Sequence, residues 1–88
     1  MQLIDKNKAL NYYLIDILYE LNLVEERIRF FEKKHDQNFI SFSDKVKKSG
    51  EEKFEEWDDY VEWKAHIKSK EYLLLQKNEI ENGDYKIA

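Results

Sequence analysis

The feature that most constrains this fold is a run of seven apolar residues, in the first third of the chain, whose spacings alternate between four and three. The residues are Leu10, Leu14, Ile17, Leu21, Val24, Ile28 and Phe31. On an α-helix this spacing aligns them as one seam along one side. A single helix cannot shield such a seam from water, so the pattern predicts that a second helix packs along it.

The composition narrows the fold to a small helical domain. The chain has 88 residues, no Pro, no Cys and two Gly, so helix breakers are scarce and neither a disulfide nor a thiolate metal site can form. Hydrophobic residues make up 42% of the chain, which favours a folded core even though 39% of the residues are charged. We therefore expect a single all-α domain over residues 1–88.

Turn and capping signals divide this domain into three predicted helices. They run from about 5 to 34, from about 42 to 48 and from about 51 to 82, with a short tail over 83–88. Ser41, three residues before Asp44, is predicted to cap the short helix, and Gly83 to close the last one. Two long helices joined by a short one predict an antiparallel helical hairpin with a short connecting helix.

The third predicted helix is apolar on two separate sides. One stripe consists of Phe54, Trp57, Val61, Ala65, Tyr72 and Leu75. The second stripe, at another angle around the helix, consists of Tyr60, Trp63, Ile67 and Leu74. Because the first helix can cover only one stripe, the other is predicted to contact something else.

We predict that the second stripe, centred on Trp63, is the partner-binding surface. Trp and Tyr supply much of the binding energy at protein interfaces, because they bury large areas and still satisfy a polar atom. A line opposite the seam of the first helix extends this predicted surface to Tyr12, Tyr19 and Phe30. If the second stripes of two copies meet, the chain forms a homodimer with a four-helix arrangement. The alternative is that the tryptophans belong to the core of the hairpin.

The charge of the chain argues against nucleic acid and membranes as partners. The formal net charge is −4 and the pI is about 5.2, and no cluster of Lys and Arg offers a site for phosphates. The amino-terminal residues have neither the apolar core of a signal peptide nor a run long enough to span a bilayer. We expect a cytoplasmic protein that binds neither nucleic acid nor membranes directly.

The residues that usually carry catalysis or bind metals form no convincing pattern. His35 and His66 lack the spacing of zinc ligands. Glu62 and His66 lie four residues apart on the polar side of the third helix, which is typical of a surface pair. The carboxylates of this helix lie on a predicted solvated face, where nothing would perturb their pKa values. We therefore expect no metal, no cofactor and no enzymatic activity.

Four short segments follow one another along the chain in an order that resembles a known family. They are Phe31-Glu32-Lys33-Lys34, Ser41-Phe42, the eight residues from Trp57 to Lys64, and Gly83-Asp84-Tyr85. In this layout, over about residues 14–88, the chain resembles small acidic antitoxin-like proteins of prokaryotic toxin–antitoxin pairs. The resemblance implies a helical hairpin that binds and neutralises a cognate toxin, an enzyme that cleaves RNA or otherwise arrests growth.

The leading hypothesis from sequence is therefore a protein–protein binding module of the antitoxin type. The alternative is a structural coiled coil or assembly protein that forms homo-oligomers and has no enzyme partner. A third possibility, an acidic mimic of nucleic acid, is disfavoured because a net charge of −4 over 88 residues is far below the charge density of a phosphate backbone.

Overall fold

The computed structural model describes residues 6–49 and 54–82, which form three α-helices and, over those residues, no strand. The helices are α1 (Lys6–His35), α2 (Phe39–Lys48) and α3 (Phe54–Glu81). The all-α prediction is confirmed. The molecule is elongated, with extents of 62 × 19 × 19 Å. Three predictions lie outside the described residues: the start of the third helix at about residue 51, its closure by Gly83, and the tail over 83–88.

Backbone geometry and charge both favour the end of α1 at His35. Asp36 adopts a φ of 51°, in the left-handed region, and the Gln37 N–H donates to the Glu32 carbonyl oxygen at 3.3 Å. This pair of features is a Schellman-type ending, which satisfies a carbonyl that the helix leaves without a partner. Lys33 and Lys34 in the last turn also interact favourably with the helix dipole.

The short helix begins earlier than the sequence analysis predicted. α2 starts at Phe39, and its N-cap is Asn38, whose side-chain oxygen accepts from the Ser41 N–H at 2.9 Å. The prediction that Ser41 caps a helix starting near Phe42 is therefore wrong. Asn is as good a cap as Ser, but no acidic residue follows Asn38 at the capping-box spacing, so the sequence pattern does not indicate it as the cap.

Contacts between α1 and α3 follow opposite order along the two helices. At the end of α1, Lys34 Nζ lies 2.7 Å from an Asp59 carboxylate oxygen near the start of α3. Further back on α1, Glu25 pairs with Lys70 at 3.9 Å. Nearer the start of α1, one buried cluster consists of Ile17, Leu21 and Leu73.

The seam predicted for α1 is the side of this helix that packs most closely. Four of its seven residues are buried and three are half-buried. The buried residues are Ile17, Leu21, Ile28 and Phe31, and the half-buried ones are Leu10, Leu14 and Val24. His35 continues the same spacing and is also half-buried.

The facing seam of α3 has the same alternating spacing but a mixed composition. Its residues, all buried or half-buried, are Asp59, Trp63, His66, Lys70, Leu73, Lys77 and Ile80. Four of these seven are polar, so a search for apolar periodicity alone does not detect them. The aliphatic parts of the lysine side chains can cover apolar surface while their amines reach water.

The burial of the two apolar stripes of α3 is the reverse of what was predicted. In the second stripe, Tyr60 and Trp63 are buried and Ile67 is half-buried. The first stripe is exposed over its whole length: Phe54, Trp57, Val61, Ala65, Tyr72 and Leu75. The prediction that Trp63 lies on the surface is wrong, because its angle around α3 coincides with the seam that faces α1.

The two tryptophans provide a matched test of this packing. Trp63→Ala should lower the free energy of unfolding by about 3–5 kcal/mol, since it removes a fully buried ring. Trp57→Ala, on the exposed side of the same helix, should cost far less, about 0.5 kcal/mol. Urea unfolding followed by circular dichroism measures both. Equal losses for the two variants would contradict the assignment of the stripes.

Candidate protein-binding surface

Trp63 lies where all three helices meet. Its indole is fully buried and stacks on Phe31 of α1, with ring centroids 5.6 Å apart and planes 15° from parallel. Phe42 and Phe39 of α2 lie 5.3 Å and 5.5 Å away. Among the described residues the indole N–H has no hydrogen-bond partner, so ring packing rather than a polar contact holds Trp63 in place.

Tyr60 belongs to the same junction. Its ring stacks on Phe39, with centroids 5.7 Å apart, and the amines of Lys47 and Lys64 lie 5.9 Å and 5.8 Å from its centroid. Burial raises the pKa of Tyr60, but a hydrogen bond with Ser43 and the two lysines outweigh it and lower that pKa overall. These contacts tie Tyr60 to α2 and remove it from the surface open to a partner.

A buried carboxylate closes the junction on the side of α1. One oxygen of Asp59 lies 2.7 Å from Lys34 Nζ and 2.8 Å from His35 Nε2. Burial raises the pKa of Asp59, but the hydrogen bonds with Lys34 and His35 outweigh it and hold that pKa below its usual range. The same contact with Asp59 raises the pKa of Lys34. The contacts of this carboxylate therefore join the start of α3 to the end of α1.

The predicted site residues therefore do not form one surface. Tyr60 and Trp63 lie in the core, and Ile67 packs against it. Leu74 is 40% exposed, whereas its neighbour Leu73, which the sequence analysis did not select, is buried. The remaining predicted residues are exposed on α1: Tyr12, Tyr19 and Phe30.

The strongest candidate for a protein-binding surface lies on the first turns of α3. Its residues belong to the first stripe, whereas the second stripe was predicted to bind the partner. Phe54 is 81% exposed, and Trp57 and Val61 are each 51% exposed. We call these three residues the Trp57 stripe. They share one side of the helix because they lie three and four residues apart. The Trp57 ring contacts Tyr60 at a centroid distance of 5.3 Å, so one of its edges rests on the core while the other remains open.

Acidic side chains border the Trp57 stripe. Glu55 pairs with Lys34 at 3.3 Å, and Glu62 lies 3.7 Å from His66 Nε2. Asp58 is exposed and makes no ion pair with a described residue. The surface thus combines an open aromatic ring with negative charge at its edges.

The described residues offer little support for metal binding or for a membrane span. Across residues 6–49 and 54–82, no three His, Cys, Asp or Glu side chains come together in a way that could hold a metal ion. None of the three helices, over the same residues, is long and apolar enough to cross a bilayer. His66 lies four residues from Glu62 and is half-buried on the seam of α3, not on a polar face.

Comparisons of this chain with protein-family models, with curated proteins and with solved structures find no match. The antitoxin-like resemblance stays a prediction.

The depressed pKa of Asp59 predicts how the fold responds to acid. In the unfolded chain an Asp has a pKa of about 3.9. Because the folded value is lower, Asp59 contributes stability above the unfolded pKa and loses it as the pH falls through the folded one. Urea unfolding between about pH 5 and pH 1 should therefore show a steeper loss of stability for the parent than for Asp59→Asn. Asp58→Asn, its exposed neighbour, is the control and should follow the parent. Identical pH dependence of all three proteins would contradict this role.

Proposed function

We propose that this chain is a protein-binding module of the antitoxin type, which neutralises a cognate toxin by direct contact. In this proposal α1 and α3 form an antiparallel helical hairpin, and α2 braces one end of it. The observation that carries the proposal is the Trp57 stripe, a row of three exposed apolar side chains at the end of the molecule where α2 packs.

Several properties of this stripe suit a binding surface. A tryptophan that is half exposed leaves much of a large ring in contact with water, which is unfavourable unless a partner covers it. The underlying helix is held by the junction around Trp63, so little conformational entropy would be lost on binding. Trp residues in this setting contribute a large share of interface energy.

The acidic border indicates what kind of protein would fit. Asp58 lacks a cation among the described residues, and Glu62 has only His66 nearby. A partner that offers an apolar socket for Trp57 with Lys or Arg at its edge would match both features. An overall charge of −4 would also speed its association with a basic protein.

A second candidate function is a homo-oligomeric assembly module without an enzyme partner. It is favoured by exposed apolar residues at the other end of the molecule, away from α2, which the Trp57 stripe does not include: Tyr12, Tyr19, Tyr72 and Leu75. Self-association and the binding of another protein are compatible, because they would use different parts of the surface, but the second candidate differs from the first in having no enzyme partner. We further propose that the chain acts in the cytoplasm, without contacting nucleic acid or membranes itself.

For the test, a tagged form of the chain is first purified from its native cells. The protein bound to it is then identified by mass spectrometry. Binding of that protein is then measured by calorimetry. Trp57→Ala should weaken it by about 2 kcal/mol or more while the helical circular dichroism stays unchanged. Phe30→Ala, an exposed aromatic outside the stripe, is the control and should bind like the parent.

Two further outcomes separate the parts of this proposal. If the identified protein binds Trp57→Ala as tightly as the parent, the stripe is not the binding surface. If expressing that protein alone does not arrest growth, or if co-expressing the parent chain does not restore growth, the chain is not an antitoxin even though it binds a protein.

A further inference from the structure

Two lysine amines from different helices lie beside one buried tyrosine. Lys47 Nζ, on α2, is 5.9 Å from the centroid of the Tyr60 ring, and Lys64 Nζ, on α3, is 5.8 Å from it. Both lysines are exposed, so a ligand can reach their amines. The two lysines are far apart in the sequence, and only the packing of α2 on α3 brings them together.

The Tyr60 ring alone is a weak partner for two cations. A ring face attracts a cation that lies within about 6 Å of its centroid, and both amines are close to that limit. Other rings also cover Tyr60, since Phe39 lies 5.7 Å and Trp57 5.3 Å away. The ring contacts therefore neutralise little of the positive charge.

Both amines lie toward the hydroxyl end of Tyr60. The hydroxyl forms hydrogen bonds with Ser43 and Lys47, and the charges of both lysines act on it. Burial raises the pKa of Tyr60, but these interactions outweigh it and lower that pKa overall. Because the effect of a charge falls off with distance, this influence on the hydroxyl places both amines near it. One anion at that end of the ring can therefore contact the two amines.

No described carboxylate neutralises the pair. Neither amine forms an ion pair with a described residue. Glu56, one helical turn before Tyr60, pairs with Lys45 at 3.6 Å. The positions three and four residues from Lys64, on either side, hold no acidic residue.

The unpaired charges of α2 and of the adjacent side of α3 are mainly positive. Lys48 and Lys68 are also exposed, and neither forms an ion pair with a described residue. The unpaired acidic residues are Asp44 on α2 and Glu71 on α3. Residues 50–53, which include two glutamates and a lysine, lie outside the described part of the chain. Among the described residues, four unpaired ammonium groups are thus accompanied by two unpaired carboxylates.

We propose that Lys47 and Lys64 bind the phosphate group of a small molecule where α2 meets α3. A phosphate ester carries a charge of about −1.5 to −2 at neutral pH and three acceptor oxygens, so it matches two ammonium groups and accepts a hydrogen bond from each. Charge-assisted hydrogen bonds of this kind are short and strong. A carboxylate would neutralise only one of the two amines. The inference does not rest on toxin binding, because neither lysine belongs to the Trp57 stripe.

The surrounding charges favour a small ligand over a nucleic acid. A nucleic-acid backbone carries a row of phosphates and binds where several cations follow it. Here Asp44 lies three positions from Lys47, Glu71 lies seven positions from Lys64, and the whole chain has a net charge of −4. These anions would repel the neighbouring phosphates of a polymer, so the site fits a single phosphate group.

Two lysines of α3 provide a matched test. Calorimetry of the full chain with inorganic phosphate, at constant ionic strength, should give a dissociation constant on the order of 1 mM. Lys64→Gln should raise it about tenfold, because this change removes one of the two charged contacts. Lys68→Gln, one turn further along the helix, should change it less than about twofold. Lys64→Arg should restore most of the binding, since it keeps the charge. Circular dichroism should show the same helices in every variant.

A phosphate ester distinguishes two sources of this ligand. If glycerol phosphate binds at least as tightly as inorganic phosphate, the site takes a phosphorylated small molecule. If it binds at least about tenfold more weakly, the site takes the free anion. Either result, combined with the loss in Lys64→Gln, supports the inference.

Four other outcomes overturn the inference. The first is a parent chain that binds no phosphate up to about 20 mM. The second is an equal effect of Lys64→Gln and Lys68→Gln, which would indicate general charge attraction. The third is binding that appears only after Glu51→Gln and Glu52→Gln are introduced together, because native carboxylates would then occupy the lysines. The fourth is tighter binding of a single-stranded RNA oligonucleotide that depends on Lys64. The toxin-binding test uses Trp57→Ala and no phosphate, so the two proposals can fail separately.

Discussion

Stacking of the Trp63 indole between Phe31 and Phe42 is the contact on which the rest of the structure depends. It is the place where α1, α2 and α3 all contribute rings, and it determines which side of α3 faces inward. Once Trp63 is buried, Trp57 must face outward, because six residues along a helix separate the two by well over a quarter turn. The burial of Trp63 thus accounts both for the core at this end of the molecule and for the exposed Trp57 stripe on α3.

The charges at this junction are organised by Asp59. A carboxylate with little access to water is costly unless it is hydrogen-bonded and paired, and Lys34 and His35 supply both conditions from the end of α1. The left-handed Asp36 then turns the chain toward α2. Three consecutive residues at the end of α1 therefore provide the two donors and the turn that follows them.

The sequence predicted helix content and the buried side of α1, because that side is uniformly apolar. It could not predict the buried side of α3, where His66, Lys70 and Lys77 occupy seam positions and the exposed stripe that contains Trp57 competes with the true seam. Trp57 is exposed and Trp63 is buried, but both are tryptophans. The residue type alone therefore does not show which of them packs in the core. The start of α2 could not be predicted for a local reason, since Asn38 caps a helix as well as Ser41 would.

The mixed composition of the α3 seam also has a consequence for folding. Heptad seams can slide past one another by seven residues and still bring seam positions together. Here a slide in one direction would place Lys70, instead of Trp63, against Phe31, and a slide in the other would place Asp59 against Ile28. Both alternatives remove a stacked ring pair or leave a charge in an apolar contact. The polar seam residues should thus penalise misaligned helix pairs during folding, so that the native alignment is the one with no such conflict.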